Sequence, residues 1–172
     1  MGREGYLSWM RVSTVSALAL GTFLVALVSL TSCRREAPVN GIGGFEIGKT
    51  QLGQLSGRCI PASEEPLMYC PGIASVALGN QSANIDLYFG DQRTDSTLVE
   101  ILLDVSSCRH EELDAFLVSK LGEPIRRTGK RVFWSNEYVH VSAALPAEAL
   151  RCEVNFVAAS DRKRIEGLEK AE

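Results

Sequence analysis

The alternation of apolar and polar positions predicts most of the strands in this chain. Ile85, Leu87 and Phe89 alternate with polar neighbours, and the run 99–105 repeats the pattern. Such a period of two is typical of strands that bury one face. Three further strands are predicted near residues 131–135, 137–144 and 151–158. In the second of these, the alternation places His140 on the solvated face of the sheet.

A helical period predicts one clear helix between the strands. Four apolar residues fall at i, i+3, i+4 and i+8, and therefore share one face: Leu113, Phe116, Leu117 and Leu121. Ser107 is the predicted N-cap, and Gly122 with Pro124 ends the helix. A shorter helix is predicted earlier in the chain, with Thr50 as its cap and Gly57 as its end.

The order helix, strands, helix, strands predicts an α+β domain over residues 45–160. Its short helices pack on an antiparallel sheet, and its two halves form a weak internal repeat. The last stretch, 161–172, is predicted to be a polar C-terminal helix or tail with Ile165 and Leu168 as its apolar anchors. The whole chain has 172 residues, of which 45% are hydrophobic and 23% charged, and a net charge of -3. These values exclude a disordered acidic tail and a basic nucleic-acid binder.

An uncharged apolar segment at the N-terminus predicts export. Residues 12–32 carry no charge and follow two arginines, which is the pattern of a secretory signal. The segment ends in Leu30-Thr31-Ser32-Cys33. This sequence resembles the lipobox of bacterial lipoproteins, and the resemblance implies cleavage before Cys33 and acylation of that cysteine. The alternative is an uncleaved membrane helix, which the small polar residues of the segment disfavour.

The lipobox also sets the predicted boundaries and the predicted location. Residues 1–32 are the signal peptide, and residues 33–44 are the lipidated cysteine and a flexible, glycine-rich tether. In enterobacterial lipoproteins, Asp after the cysteine retains the protein in the inner membrane, whereas this chain has Arg34 at that position. We therefore expect a lipid anchor in the outer membrane, facing the periplasm.

Four cysteines remain after the anchor, at positions 59, 70, 108 and 152. An even count in an exported chain predicts disulfides. Three pairings are open, and we predict Cys59–Cys70, which closes a local loop, together with Cys108–Cys152. Because the sequence has no C-x-x-C spacing, we predict no zinc site and no other metal or cofactor.

The second predicted helix and the strand after it resemble part of a module in small bacterial envelope proteins. The run 113–124, which ends Leu121-Gly122-Glu123-Pro124, precedes a strand that contains Trp134. This arrangement is similar to one in SmpA/OmlA-type assembly lipoproteins and β-lactamase-inhibitor-like proteins. Residues 47–55 are similar to the start of that module's first helix. The resemblance implies a helix followed by an antiparallel sheet in an envelope protein, and it assigns no binding residue to this chain.

One nucleotide-binding motif matches the sequence, but its surroundings do not fit. The segment from Gly43 to Thr50 fits G-x-x-x-x-G-K-[ST], the phosphate-binding P-loop. A true P-loop follows a buried strand and precedes a long helix, whereas a glycine-rich tether precedes this segment. Nucleotide binding is therefore not predicted. The two histidines, His110 in a helix first turn and His140 on a strand, are predicted to have no catalytic role.

Five residues form the predicted interaction patch. Four cations surround the Thr128-Gly129 turn, and an aromatic residue lies on the next strand: Arg126, Arg127, Lys130, Arg131 and Trp134. An exposed aromatic beside a basic turn is typical of a surface that contacts an anionic partner. The alternative is a solvated hairpin without a binding role.

Together these features predict a non-catalytic function. We expect a lipid-anchored bacterial envelope protein that binds or scaffolds an envelope protein partner, without nucleic acid or cofactor. One alternative is an inhibitor of a secreted enzyme. Another is a periplasmic hydrolase that uses carboxylates, which requires a concave pocket where those carboxylates converge.

Overall fold

A computed structural model describes residues 38–56, 58–146 and 150–170. The predictions for the signal peptide, for Cys33 and for Gly57 lie outside these residues. Among the residues described, no helix has the length and apolar composition needed to cross a membrane.

The described chain forms two antiparallel sheets and two α-helices. The small sheet is a hairpin of β1 (Gly41–Ile42) and β2 (Phe45–Glu46). The large sheet contains β3 (Ile60–Pro61), β4 (Met68–Leu78), β5 (Gln81–Phe89), β6 (Leu98–Ser106), β7 (Arg126–Arg127), β8 (Arg131–Ser135), β9 (Val139–Ala144) and β10 (Arg151–Ala158). The helices are α1 (His110–Leu121) and α2 (Arg162–Lys170), and a 3-10 turn spans Leu52–Gln54. This architecture confirms the predicted α+β class.

The large sheet consists of two four-stranded meanders with the strand order β3-β4-β5-β6-β10-β9-β8-β7. The meanders join at the centre of the sheet, where β6 pairs with β10 and Leu103 lies opposite Val154. The 3-10 turn precedes the first meander and α1 precedes the second. The same order of elements therefore occurs twice along the chain.

One face of the sheet, the apolar face, supplies most of the core. Alternate residues of the central strands are buried on it, including Ile85, Leu103 and Phe156. α1 covers this face with Leu113 and Leu117, which are both buried in the same cluster. The alternation predicted for β5, β6 and β10 and the helical stripe of α1 are confirmed, because both periods bring apolar area to one side.

α1 begins later than predicted. Ser107 is not its cap: the φ angle of Ser107 is 82°, and the N–H groups of Ser107 and Cys108 both donate to the Leu150 carbonyl, at 2.7 and 2.8 Å. This contact with the start of β10 keeps the chain out of helical geometry until Arg109, the observed N-cap. Gly122 ends the helix as predicted, since its φ of 81° lies in the left-handed region that favours glycine.

The predicted first helix is only a 3-10 turn. Thr50 does not cap it, because its Oγ1 accepts a hydrogen bond from the Glu46 N–H at 2.9 Å and closes the preceding turn. The Thr50 carbonyl accepts from the Leu98 N–H, and the Leu98 carbonyl accepts from the Gly48 N–H, at 2.8 Å each. The P-loop-like segment therefore forms β2 and the turn after it, and these bonds hold it against the start of β6.

Both predicted disulfides are present. Cys59 is bonded to Cys70, and Cys108 is bonded to Cys152. The second bridge joins the segment before α1 to β10 and spans 44 residues of sequence. In the loop-entropy account, a bridge of this span contributes about 4 kcal/mol to stability. It therefore helps to hold the start of α1 against the apolar face.

Candidate functional site

The aromatic member of the predicted interaction patch is not on the surface. Trp134 is only 3% exposed, and its Nε1 donates to the Gly122 carbonyl at 2.9 Å. Its neighbour Phe133, which points to the opposite face, is fully buried as well. The prediction that Trp134 is an exposed aromatic is therefore wrong, because both faces of the sheet are covered at β8.

The cations of the predicted patch are divided among several partners. The Arg126 guanidinium lies 4.3 Å from the Phe133 ring centre and 3.3 Å from the Glu169 carboxylate. The Arg127 guanidinium donates to Asp114 at 2.8 Å, and that of Arg131 donates to Ser142 at 3.1 Å. Lys130 is exposed. These contacts tie β7 and β8 to α1, to α2 and to the sheet, so the four cations do not form one binding surface with Trp134.

The second face of the sheet, the polar face, is divided into two parts. One part lies under α2, where Ile165 and Leu168 pack against Val157 in a small apolar cluster. Arg164 adds two hydrogen bonds of 2.8 Å to Glu100, whose side chain is only 2% exposed. Together with the ion pair between Arg126 and Glu169, these contacts hold α2 on the sheet.

The other part of the polar face lies on β4, β5, β6 and β10, and we call it the open face. It presents six polar side chains: Tyr69, Asn84, Asp86, Asp104, Arg151 and Glu153. The Arg151 side chain is 67% exposed, and Asn84 and Glu153 are exposed too. On β5, β6 and β10, the polar residues of the open face alternate along the sequence with residues of the core. The alternation therefore predicts that these polar positions share one face.

Internal contacts hold the open face in place. The Tyr69 hydroxyl donates to Asp86 at 2.8 Å, and the Gly72 N–H donates to the same carboxylate at 2.8 Å. Arg151 makes two hydrogen bonds to Asp104, at 2.6 and 2.7 Å. The Tyr69 ring stacks on Tyr88 with 4.9 Å between ring centres. Burial raises the pKa of Tyr88 to about 12, so its phenol stays neutral at physiological pH.

A cleft of about 620 Å³ lies where α2 meets the β8–β9 hairpin. His140 lines it and is only 4% exposed, so the prediction of a solvated His140 is wrong. The reason is that α2 packs on the face where His140 lies. The His140 Nε2 has no hydrogen-bond partner among the described residues and lies 3.9 Å from the nearer oxygen of Glu169.

Burial lowers the pKa of His140 below its ordinary value of 6.5. The Glu169 carboxylate opposes this shift and the Arg126 guanidinium adds to it. The imidazole is therefore neutral at physiological pH. One sequence signal pointed to this cleft: Ile165 and Leu168 are three residues apart in a polar stretch, the spacing that docks one side of a helix.

Within the described residues, no group of three or more His, Cys, Asp and Glu side chains has the arrangement needed to hold a metal ion. No family model matches this chain, and neither a curated protein nor a solved structure is significantly similar to it. The resemblance to envelope lipoproteins and inhibitors therefore stays a prediction.

Proposed function

We propose that this chain is a lipid-anchored binding module of a bacterial envelope, and that its open face binds a partner protein with a basic surface. The observation behind this proposal is the composition of the open face. It has three carboxylates and one guanidinium on four adjacent strands, a net formal charge of -2. A surface of one sign attracts and orients a partner of the opposite sign.

Two structural features support the proposal, one for binding at the open face and one for export. The Tyr69–Asp86 and Arg151–Asp104 contacts fix four of its side chains before any partner arrives. Binding then loses less side-chain entropy than it does at a face of mobile chains. The two disulfides support export, because disulfides form and persist in oxidising compartments such as the periplasm.

Arginine substitutions that make the open face more positive test the proposed binding of a basic partner. Asn84→Arg combined with Glu153→Arg places two cations on the open face at exposed positions. We expect the yield of crosslinked partner in native envelopes to fall by about tenfold or more, because like charges then meet across the interface. Thermal melts of the full-length chain check that the fold is retained.

The matched control is Gln92→Arg combined with Glu111→Arg. It replaces one exposed amide and one exposed carboxylate with arginine, as the test variant does, but away from the open face. The control should give the parental yield. Equal yields for both double variants at equal stability would overturn the proposal. A captured partner that is a secreted enzyme and loses activity on binding would identify the function as inhibition.

The lipid anchor is tested separately with Cys33→Ser. We expect this variant to lose both incorporation of labelled fatty acid and lipoprotein-type cleavage, because Cys33 is the cysteine that follows the lipobox residues. Cys59→Ser is the matched control, since it removes a cysteine of the disulfide pair and leaves the lipobox intact. Labelled fatty acid on the Cys33→Ser variant would contradict the proposed anchor.

A further inference from the structure

Much of the outer side of β4 is not covered by any strand in the described part of the chain. β4 pairs with β5 along its inner side, and on its outer side the described residues provide only β3, which pairs at Met68 and Tyr69. Ser75 and Ala77 lie further along β4 and are exposed. We call the outer side of residues 74–78 the β4 edge. An uncovered edge of this kind presents N–H and C=O groups with which another strand can pair.

The register of the β4–β5 hairpin shows which backbone groups the β4 edge presents. Leu78 and Gln81 flank a turn of two residues and therefore form a hydrogen-bonded pair. Hydrogen-bonded and non-hydrogen-bonded pairs alternate along an antiparallel ladder, so Ser75 and Ala77 belong to pairs of the second kind. Their N–H and C=O groups point away from β5. These donors and acceptors are therefore available to an added strand.

The two edges of the large sheet differ in charge and length. The edge opposite β4 is formed by β7, which has only two residues, both arginines. Short edges with charged side chains discourage pairing with another chain. In contrast, the sequence has no charged residue between Glu65 and Asp86, so β4 carries no charge. The β4 edge therefore lacks the side chains that would oppose an added strand.

The side chains of the β4 edge are complementary to those of a second copy of this chain. When Val76 lies opposite Val76 of the second copy in an antiparallel register, Ser75 of each copy lies opposite Ala77 of the other. Each of these Ser75–Ala77 pairs exchanges two hydrogen bonds, which uses all the outward groups of both residues. The two valines form a pair of β-branched side chains on the apolar face, which stabilises a sheet. Ala74 then lies opposite Leu78, so a small side chain meets a large one.

We propose that two copies of this chain associate through their β4 edges, with a two-fold axis at Val76, and so join their large sheets into one. A closed, two-fold dimer is the commonest form of protein oligomer. The inference does not depend on a partner at the open face, because the pairing uses backbone groups of residues 74–78. Since the axis of an antiparallel pair is perpendicular to the sheet, the open faces of both copies lie on the same side of the joined sheet.

Disulfide trapping with full-length chains in lipid vesicles tests this register. One chain carries Ser75→Cys, and a second, differently tagged chain carries Ala77→Cys. In the dimer these two positions form a hydrogen-bonded pair with Cα atoms about 5.5 Å apart, a separation that disulfides favour. Two identical variants place their cysteines diagonally, about 7 to 8 Å apart, which is too far for a disulfide. After mild oxidation we expect the mixture to give at least about fivefold more covalent dimer than either variant alone.

The matched control is a mixture of Ala115→Cys and Ser119→Cys chains. It makes the same two substitutions at exposed positions of α1, away from β4. Thermal melts check that all four variants keep the parental fold. The proposal is overturned if the Ser75→Cys and Ala77→Cys mixture forms no more dimer than this control. It is also overturned if either variant alone forms as much dimer as the mixture, or if Ser75→Cys in native envelopes is crosslinked to a different protein and not to a second copy.

Discussion

The two helices cover opposite faces of the same sheet by different means. α1 buries Leu113 and Leu117 in the main core, and the disulfide between Cys108 and Cys152 fixes the segment before it. α2 has a much smaller apolar cluster and relies on the bonds between Arg164 and Glu100. One helix is held mainly by burial of apolar area, and the other depends on individual polar partners.

The apolar face of the sheet contributes most of the stability, whereas both candidate sites lie on the polar face. Apolar burial is non-directional and needs only side chains of suitable size. Polar contacts need every partner in place, and a missing partner leaves a buried group unsatisfied. The polar face has such a group at His140, and its remaining area forms the open face. Both candidate sites therefore lie on the side of the sheet that contributes less to the core.

Leu117→Ala should give the largest loss of stability. Leu117 is 1% exposed in the main core, and truncation of a buried leucine leaves a cavity. We expect the free energy of unfolding to fall by about 3 to 4 kcal/mol in urea denaturation. Lys120→Ala, at an exposed position of the same helix, should change it by no more than about 0.5 kcal/mol. A loss below about 1 kcal/mol for Leu117→Ala would contradict a core-forming role for α1.

Arg164→Met tests the other helix and should have a smaller effect. The substitution leaves the buried Glu100 carboxylate without its guanidinium. Breaking a fully buried pair costs about 3 to 5 kcal/mol, and we expect about 2 to 3 kcal/mol here because the Arg164 side chain is 42% exposed. The same urea denaturation measures this loss.

Two further variants show whether an unpaired charge causes that loss. Glu100→Gln in the Arg164→Met background should recover most of the stability, because it removes the buried charge. Arg162→Met, at an exposed position of the same helix, should stay within about 0.5 kcal/mol of the parent. Failure of Glu100→Gln to restore stability would mean that Arg164 acts through packing of its stem.

The sequence predicts the apolar half of this molecule better than the polar half. Ile85, Leu103 and Phe156 lie on the core face as their alternation predicted. The same rule failed for His140, because alternation identifies a polar-side position but does not say whether another element covers it. Burial of that side is decided by α2, which is distant in sequence and has only two buried apolar residues.

Strand β8 contained a signal for burial on both faces. Val132, Phe133 and Trp134 form a continuous apolar run, which is typical of a strand covered on both sides. The prediction instead treated β8 as half solvated and placed Trp134 on the surface. The bond between Cys108 and Cys152 was predictable because few pairings exist. The bonds from Arg164 to Glu100 span 64 residues, and no local pattern predicts such a pair.

The smallest predicted effect concerns the pH dependence of α2 docking. Burial holds the pKa of His140 below 6.5, with Glu169 on α2 opposing the shift and Arg126 on β7 adding to it. The unfolded chain therefore takes up a proton at His140 before the folded chain does. Stability is complete above about pH 6.5 and falls as the pH decreases below that value. The contribution of one group is at most about 1.4 kcal/mol per pH unit.

The contribution of His140 is isolated by comparing how the free energy of unfolding changes with pH in His140→Gln and in the parent. Urea denaturation between about pH 7.5 and about pH 5.5 should show a shallower loss of stability for His140→Gln than for the parent, by about 1 kcal/mol or less over the range. His110→Gln, at the start of α1, is the matched control and should lose as much stability over this pH range as the parent does. If His140→Gln and the parent lose stability equally on acidification, His140 is not desolvated by α2. The contrast between the two helices would then rest on the ion pairs of Arg164 with Glu100 and of Glu169 with Arg126.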